Sequence, residues 1–352
     1  MQMSSLTKNE KKVLYGVTRY PAINDSELAI LLDVKLSTLT SIKRRLSTEA
    51  YYRTHLVPLV NRLGWEMLAV MYTQFNPVIP LEDRIETTKR TIEVFDEIFF
   101  SVGEEEKGFS MSLSQNYTNI GRINEIRTET FGQLGLLEKE YPHEVIMPFE
   151  TSQIHRFFDF TRLLHHLFEL NEEQTTPVVS SLFQTMEHYR FSPKEKKVFI
   201  TLIQYPEETT QQIGERTHLS RHTIARMKKH FLDIGLLQYL TLPNLEKLGI
   251  EILTLYHIRF NPHKAPNAND LTYLDSPSTV FFASRKFEAV QLAAYPSYQE
   301  YKADEMRKIR FLKENTLIVQ PPFISPYMFG RLVLIKEFNF TPVSRKILSS
   351  SD

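Results

Sequence analysis

The sequence predicts an α+β protein: two winged helix-turn-helix domains, each followed by a ferredoxin-like βαββαβ sandwich. Three observations carry that prediction. The chain repeats itself, each copy runs from a helical block into a block alternating strands with helices, and charge is segregated along the same boundaries.

The repeat sets the frame for every element. Leu6 to Pro21 reads LTKNEKKVL…RYP, and Phe191 to Pro206 reads FSPKEKKVF…QYP. Glu10 falls on Glu195 and Pro21 on Pro206, 185 positions on. Carried forward without a gap, the same shift lays Thr38 on Thr223, Lys43 on Lys228, Pro58 on Pro243, Gly64 on Gly249 and Phe75 on Phe260, with 16 of 72 positions identical. Chance does not hold register that long. The boundaries that follow are 1–60 (winged helix 1), 61–150 (sandwich 1), 151–190 (helical linker), 191–245 (winged helix 2), 246–325 (sandwich 2) and 326–352 (C-terminal tail).

In winged helix 2, Ser192 caps a helix that opens on Pro193 and carries Val198, Leu202 and Ile203 at helical spacing. Thr209 or Thr210 caps a brief helix over 211–217. The stretch LSRHTIARMKKHF, 219–231, supplies the third helix, with Ile224, Met227 and Phe231 as its apolar face. Gly235 is suited to the left-handed conformation that ends a helix, and the apolar run after it to a short strand or wing. The corresponding helices of the first copy fall at 8–19, 26–32 and 36–46.

Sandwich 1 reads as strand 67–75, helix 81–95 with Ile85, Thr88 and Ile92 on one face, strand 97–102, a turn at 104–108, strand 109–114, helix 119–134 and strand 141–149. Sandwich 2 reads as strand 252–260, a shortened first helix in a Pro- and Asn-rich stretch, strands 279–284 and 289–294, helix 298–314 and strand 317–321. Further helices are expected at 152–168, capped by Ser152, and at 177–189. The tail from Tyr327 is their shorter equivalent.

Composition bounds the function. The chain has 352 residues, 42% of them hydrophobic, enough for two or more cores. No apolar run approaches the roughly 18 to 20 residues that span a bilayer, and the start lacks a secretory segment, so a cytoplasmic protein without a membrane partner is expected. The absence of Cys excludes disulfides, thiolate nucleophiles and Cys-ligated zinc. The net charge of +0 is a sum of unlike modules: residues 1–60 hold nine Lys/Arg against five Asp/Glu, residues 191–245 eight against five, and residues 61–150 eight against sixteen. Only the basic modules are drawn to phosphate.

A helix that enters a major groove buries one side on its own domain and presents the other to base edges and phosphates. On the second copy's third helix, Ser220, Arg221, His222, Thr223 and Arg226 lie on the base-facing side, and Lys228 and Lys229 suit phosphate. In the first copy Ser37, Thr38 and Ser41 take the base-facing positions, with Lys43, Arg44 and Arg45 behind them. Double-stranded DNA is therefore the expected partner.

The two winged outlines, the connectors VNRLGW (60–65) and LEKLGI (245–250), and the sandwich order together resemble the Lrp/AsnC (feast/famine) transcription regulators of bacteria and archaea, twice over in one chain. The resemblance implies DNA binding by the first part of each copy, dimerisation through the sandwich domains, and small effectors at sandwich interfaces; the linker helices are expected to pack on the sandwiches or on a second copy of the chain. No cofactor is implied. The family's effector turn, Gly-rich with an acidic residue, is only loosely matched by Gly103, Glu104, Glu106 and Gly108, and the turn at 284–289 has no Gly. A solvated hairpin is the plainer reading of those glutamates.

Catalytic signatures are missing: no GxGxxG, Walker loop, GxSxG or HExxH occurs, so an enzyme is not expected. His165 and His166 are adjacent on a helix and point about 100° apart, which, with His155, reads as core or interface histidines in place of a metal site. Trp65 is expected to seat the sandwich on the winged helix. The expectation is a sequence-specific transcription regulator. Its rivals are an RNA-binding or protein-docking scaffold, and a metabolite sensor or small enzyme built on the sandwiches.

Overall fold

The computed structural model describes residues 6–137, 141–170, 183 and 187–349. It is an α+β protein. In the first copy α1 (Lys8–Arg19), α2 (Asp25–Leu31) and α3 (Leu36–Thr48) lead to β1 (Tyr52–Pro58), then β2 (Met67–Gln74), α4 (Leu81–Glu93), β3 (Ile98–Gly103), β4 (Lys107–Ser114), α5 (Tyr117–Gln133) and β5 (His143–Pro148). β6 (Gln153–Arg156) and α6 (Thr161–Leu167) follow. The second copy repeats the order as α7 (Pro193–Gln204), α8 (Thr210–Thr217), α9 (Arg221–Asp233), β7 (Leu237–Pro243), β8 (Ile252–Arg259), α10 (Ala268–Leu274), β9 (Thr279–Arg285), β10 (Glu288–Tyr295), α11 (Tyr298–Glu314) and β11 (Phe323–Met328). It ends with β12 (Val333–Lys336) and α12 (Thr341–Ser349).

Local chemistry explains the helix starts. Thr7 and Ser192 each accept from the backbone N–H three residues on, while Glu10 and Glu195 reach back to the cap's own N–H. Gly235 has a φ of 66°, the left-handed conformation that ends α9. At Gly214 a Cβ would lie 2.7 Å from the carbonyl oxygen of Leu219, so only glycine lets the chain fold back between α8 and α9.

The chain folds into two compact units, and these are not the two sequence copies. One unit comprises Met1–His55, Ile154–Ser180 and Tyr239–Gly330. The other comprises Leu56–Gln153, Ser181–Gln238 and Arg331–Asp352. In the first, α1–α3 close around Val13, Leu14, Leu28, Leu39 and Leu46, and a sheet of order β11-β8-β10-β9-β6 carries α11 on one face. In the second, α7–α9 close around Val198, Phe199, Ile213, Ile224 and Phe231, and a sheet of order β12-β3-β4-β2-β5 carries α4 and α5. β1 and β7 pair as a separate two-stranded ribbon.

Two local expectations are corrected. Residues 152–168 do not form one helix: 153–156 extend as β6 along the edge of β9, where His155 Nε2 meets Ser284 Oγ at 2.8 Å, and only Thr161–Leu167 is helical. An exposed sheet edge offers unpaired N–H and C=O groups, and a strand satisfies them where a helix cannot. The last strand of sandwich 2 lies at Phe323–Met328 and not at 317–321, because Leu317 turns in to fill the core beneath α11. Of the helix expected at 177–189, residues 183 and 187–189 are not helical, and 177–182 and 184–186 lie outside the described residues. Among the described residues no helix is long and apolar enough to cross a membrane.

Candidate functional site

The helix-facing side of the β12-β3-β4-β2-β5 sheet is unusual. Successive strand residues point to opposite faces, and Met71 packs with Ile92 of α4 and Ile123 of α5, which puts Ala69, Thr73 and Phe75 on the same side. The register Met71↔Ser110, Thr73↔Gly108, Ser110↔Ser101 and Gly108↔Gly103 extends that side across β4 and β3. One end of the layer is therefore built of Thr, Ser and Gly, where large aliphatic side chains would ordinarily fill the space.

Two arginines enter it. Arg84 of α4 and Arg127 of α5 are each only 2% exposed. Arg127 Nη1 donates to Ser110 Oγ at 3.0 Å and lies 3.4 Å from Met71 Sδ; its Nε has no partner among the described residues. Arg84 Nη2 donates to the carbonyl of Glu104, its guanidinium sits 4.5 Å from the Phe75 ring centroid, and its Nη1 has no partner among the described residues. Thr88 Oγ1, one turn along α4 from Arg84, is also without a partner among the described residues. Burial pushes the Arg127 guanidinium down to about 10. Burial lowers Arg84 too, and the Glu105 and Glu106 carboxylates oppose that. Both are cations at neutral pH.

These groups line one cavity with Phe75, Gly103 and Gly108. Its empty space is about 330 Å³ with the open mouth and the solvent there included, while the enclosed part holds only about one water. A Cβ at Gly108 would lie 3.0 Å from the Val102 carbonyl oxygen and 3.2 Å from Phe75, so a side chain there would crowd both. Chemically the cavity offers buried, unshared N–H donors on fixed positive charge, which suits a carboxylate.

The residues expected at an effector turn are brought partly to this cavity. Gly103 and Gly108 line it. Glu104 contributes its carbonyl to Arg84 while its carboxylate pairs with Lys107 at 3.6 Å. Glu106 is exposed, and its carbonyl accepts from the Phe75 N–H at 2.7 Å. Arg84 and Arg127 escaped sequence reasoning. Their signal was present: Arg127 continues the buried stripe Ile120, Ile123, Phe131 on α5, a charged residue on an apolar face.

The thirteen residues assigned to a duplex interface lie on two helices in different units. On α3, Ser37, Ser41 and Arg44 are exposed and Thr38 is half-buried, whereas Lys43 is held by Asp25 and Arg45 by Glu10. On α9, Arg221, His222, Arg226 and Lys229 are exposed, Thr223 and Lys228 are half-buried, and Ser220 caps the helix by accepting from the Thr223 N–H at 3.2 Å. His165 packs on Tyr15 with ring centroids 6.0 Å apart, and His166 meets Glu300 at 3.2 Å. Among the described residues no three His, Cys, Asp or Glu side chains group as metal ligands. Trp65 is buried.

No protein-family model matches the sequence, and no curated protein matches it. Among solved structures, the siroheme decarboxylase NirDL aligns over 98% of this chain and 99% of its own, with 10% identity and a TM-score of 0.52. NirDL in co-complex with an iron-uroporphyrin III analogue aligns over 97% and 99%, with 10% identity and a TM-score of 0.51. A transcriptional regulatory protein of the AsnC family from Pyrococcus furiosus covers 41% of this chain and 89% of its own, at 20% identity and a TM-score of 0.31. At these identities the likeness is one of fold.

The full-length likeness corrects the functional expectations. A twofold layout of three helices and a sandwich was read as a duplicated Lrp/AsnC-type regulator with duplex DNA as partner and no catalysis. The same layout, end to end, is that of an enzyme. The recognition as a transcription regulator, the DNA partner and the exclusion of enzymatic activity are therefore withdrawn.

Proposed function

We propose that the chain is an enzyme that removes carboxyl groups from a polycarboxylated tetrapyrrole, and that Arg84 and Arg127 hold carboxylate arms of that substrate. One observation carries the reading: two guanidiniums, each 2% exposed, have free N–H donors and no carboxylate partner among the described residues. Arg84 feels the Glu105 and Glu106 carboxylates, but Arg127 is uncompensated, and a charge of that kind costs several kcal/mol to bury, a cost that a ligand carboxylate removes. The enclosed part of the cavity holds only about one water, so an arm reaches the guanidiniums from the open mouth, where the macrocycle lies. The full-length fold shared with siroheme decarboxylase NirDL supports the same substrate class.

The chemistry divides the labour. Loss of CO2 leaves an electron pair on the adjoining carbon, which a proton then takes up. A carboxylate gripped by a guanidinium is stabilised as carboxylate and resists that loss, so Arg84 and Arg127 bind and orient the arms that are kept. The reacting arm belongs in apolar surroundings, where its charge is poorly solvated.

In this reading residues 1–60 and 191–245 are winged helix-turn-helix domains and 61–150 and 246–325 ferredoxin-like sandwiches, joined by 151–190 and closed by 326–352. The basic sides of α3 and α9 are solvated surfaces, and the protein works in the cytoplasm. The test is to incubate the purified chain with an iron-bearing octacarboxylate tetrapyrrole and follow CO2 release, with product mass read in parallel. Stepwise loss of CO2 by the wild type, abolished in R84A and R127A, is the expected result. Failure of the wild type to bind or convert the compound overturns the proposal.

A further inference from the structure

The two sandwiches are copies, which allows the arginine cavity to be compared with its own counterpart. α5 and α11 are both 17-residue helices, and Arg127 and Lys308 occupy the same place in them. The neighbouring strands agree: Met71, which touches Arg127, corresponds to Tyr256, whose ring centroid lies 4.4 Å from Lys308 Nζ. The registers match as well, Met71 facing Ser110 and Tyr256 facing Gln291. Both cations are 2% exposed.

Among the described residues Lys308 Nζ, like Arg127 Nε, makes no hydrogen bond, so the two differ in the charge that neutralises them. One turn before Lys308 stands Asp304, whose Oδ2 lies 3.0 Å from Lys308 Nζ. The same carboxylate accepts from Ser276 Oγ at 3.0 Å, from Tyr295 Oη at 2.7 Å and, through Oδ1, from Arg307 Nη2 at 2.8 Å. Tyr256 and Tyr295 hydroxyls meet at 2.9 Å behind it. One turn before Arg127, at the place of Asp304, stands Ile123, buried in the apolar cluster with Met71 and Ile92. The first copy keeps the cation and lacks the acid.

We infer that Asp304 is a built-in replacement for the ligand carboxylate: the chain has one working carboxylate-binding cavity, in the first sandwich, and the second is closed by its own side chain. This rests on the reading of Arg127 as a carboxylate-binding residue and adds which of the duplicated sites is open, and why. Ile123 itself fills the place of the acid, so the bound carboxylate belongs in the cavity that Arg127 lines with Arg84. A substrate arm is thus received in one of two homologous frames, and one substrate binds per chain.

Ile123→Asp tests this directly, with I123N as the uncharged control and D304N as the counterpart in the other sandwich. On the full chain without ligand, both variants lose the apolar packing of Ile123, and the inference predicts that I123D melts above I123N, since only the aspartate supplies Arg127 with its missing counter-charge. Titration with iron-uroporphyrin III, followed by its visible absorption, should give one equivalent per chain for the wild type, affinity lowered more than tenfold in I123D, and affinity unchanged in D304N. Two equivalents per chain, or I123D binding as tightly as the wild type, overturns the inference. So does I123D melting below I123N, whatever the tetrapyrrole does. A wild type that ignores the tetrapyrrole while I123D melts above I123N removes the proposed substrate class and leaves the self-closed second site standing.

Discussion

Replacing Arg127 by methionine should make the protein more stable and less able to bind. The side chain is fully enclosed, and burial pushes its guanidinium down from the ordinary range to about 10, which disfavours the charged form by about 3 kcal/mol. Against that stands one charge-assisted hydrogen bond, Nη1 to Ser110 Oγ at 3.0 Å, worth about 1.5 kcal/mol. Methionine keeps much of the volume, leaves Ser110 a rotatable hydroxyl beside Met71, and introduces no buried charge. The difference favours R127M by about 1 to 2 kcal/mol, or a rise in Tm of roughly 2 to 8 °C for a unit of this size. Equilibrium urea unfolding and a thermal scan measure it. A loss of stability above about 1 kcal/mol would refute the reasoning, because it would mean that Arg127 is satisfied in the folded chain and holds the core together. An ordinary structural arginine behaves that way; a ligand-binding one is kept at the expense of stability.

Other consequences follow from particular contacts. Asp304→Asn leaves Lys308 buried beside a neutral amide, which should cost about 3 to 5 kcal/mol and be read as a lower urea midpoint. Gly214→Ala puts a methyl 2.7 Å from a backbone oxygen and should cost about 1 to 3 kcal/mol, with a thermal scan as the check. His55 is held at about 4, by burial first and by Arg53 second, whereas the unfolded chain takes the proton near 6.5. The folded value is depressed, so the unfolded state binds more protons between those values. Stability is therefore full above about pH 6.5 and falls as pH drops toward 4, and unfolding midpoints across that window should flatten in H55F.

Much of the fold could be read from residues alone, because local signals governed it. The cap pairs Thr7–Glu10 and Ser192–Glu195, the left-handed Gly235 and the helical spacing of Val198, Leu202 and Ile203 all act within a few residues. What escaped depended on distant partners. Gln153–Arg156 extends because β9 lies at hand, with His155 and Ser284 separated by 129 positions. Leu317 leaves the expected strand because α11 needs it beneath. That the compact units draw segments from both copies has no local signature at all. Arg127 was legible as a charge on an apolar stripe, but its meaning required knowing that no acid meets it among the described residues and that Ile123 stands where its counterpart has Asp304. The functional expectation failed for another reason: it rested on exposed cations of α3 and α9, and a basic helix face has the same sequence pattern whether it meets a duplex or only water.

The most direct test is a visible-absorption titration of iron-uroporphyrin III into the wild type and the R84M/R127M double variant at matched ionic strength. If the buried guanidiniums grip carboxylate arms, each lost charged contact removes about 1.5 kcal/mol or more, and Kd rises at least about 100-fold while the variant stays folded. A double variant that binds the compound as tightly as the wild type contradicts the account.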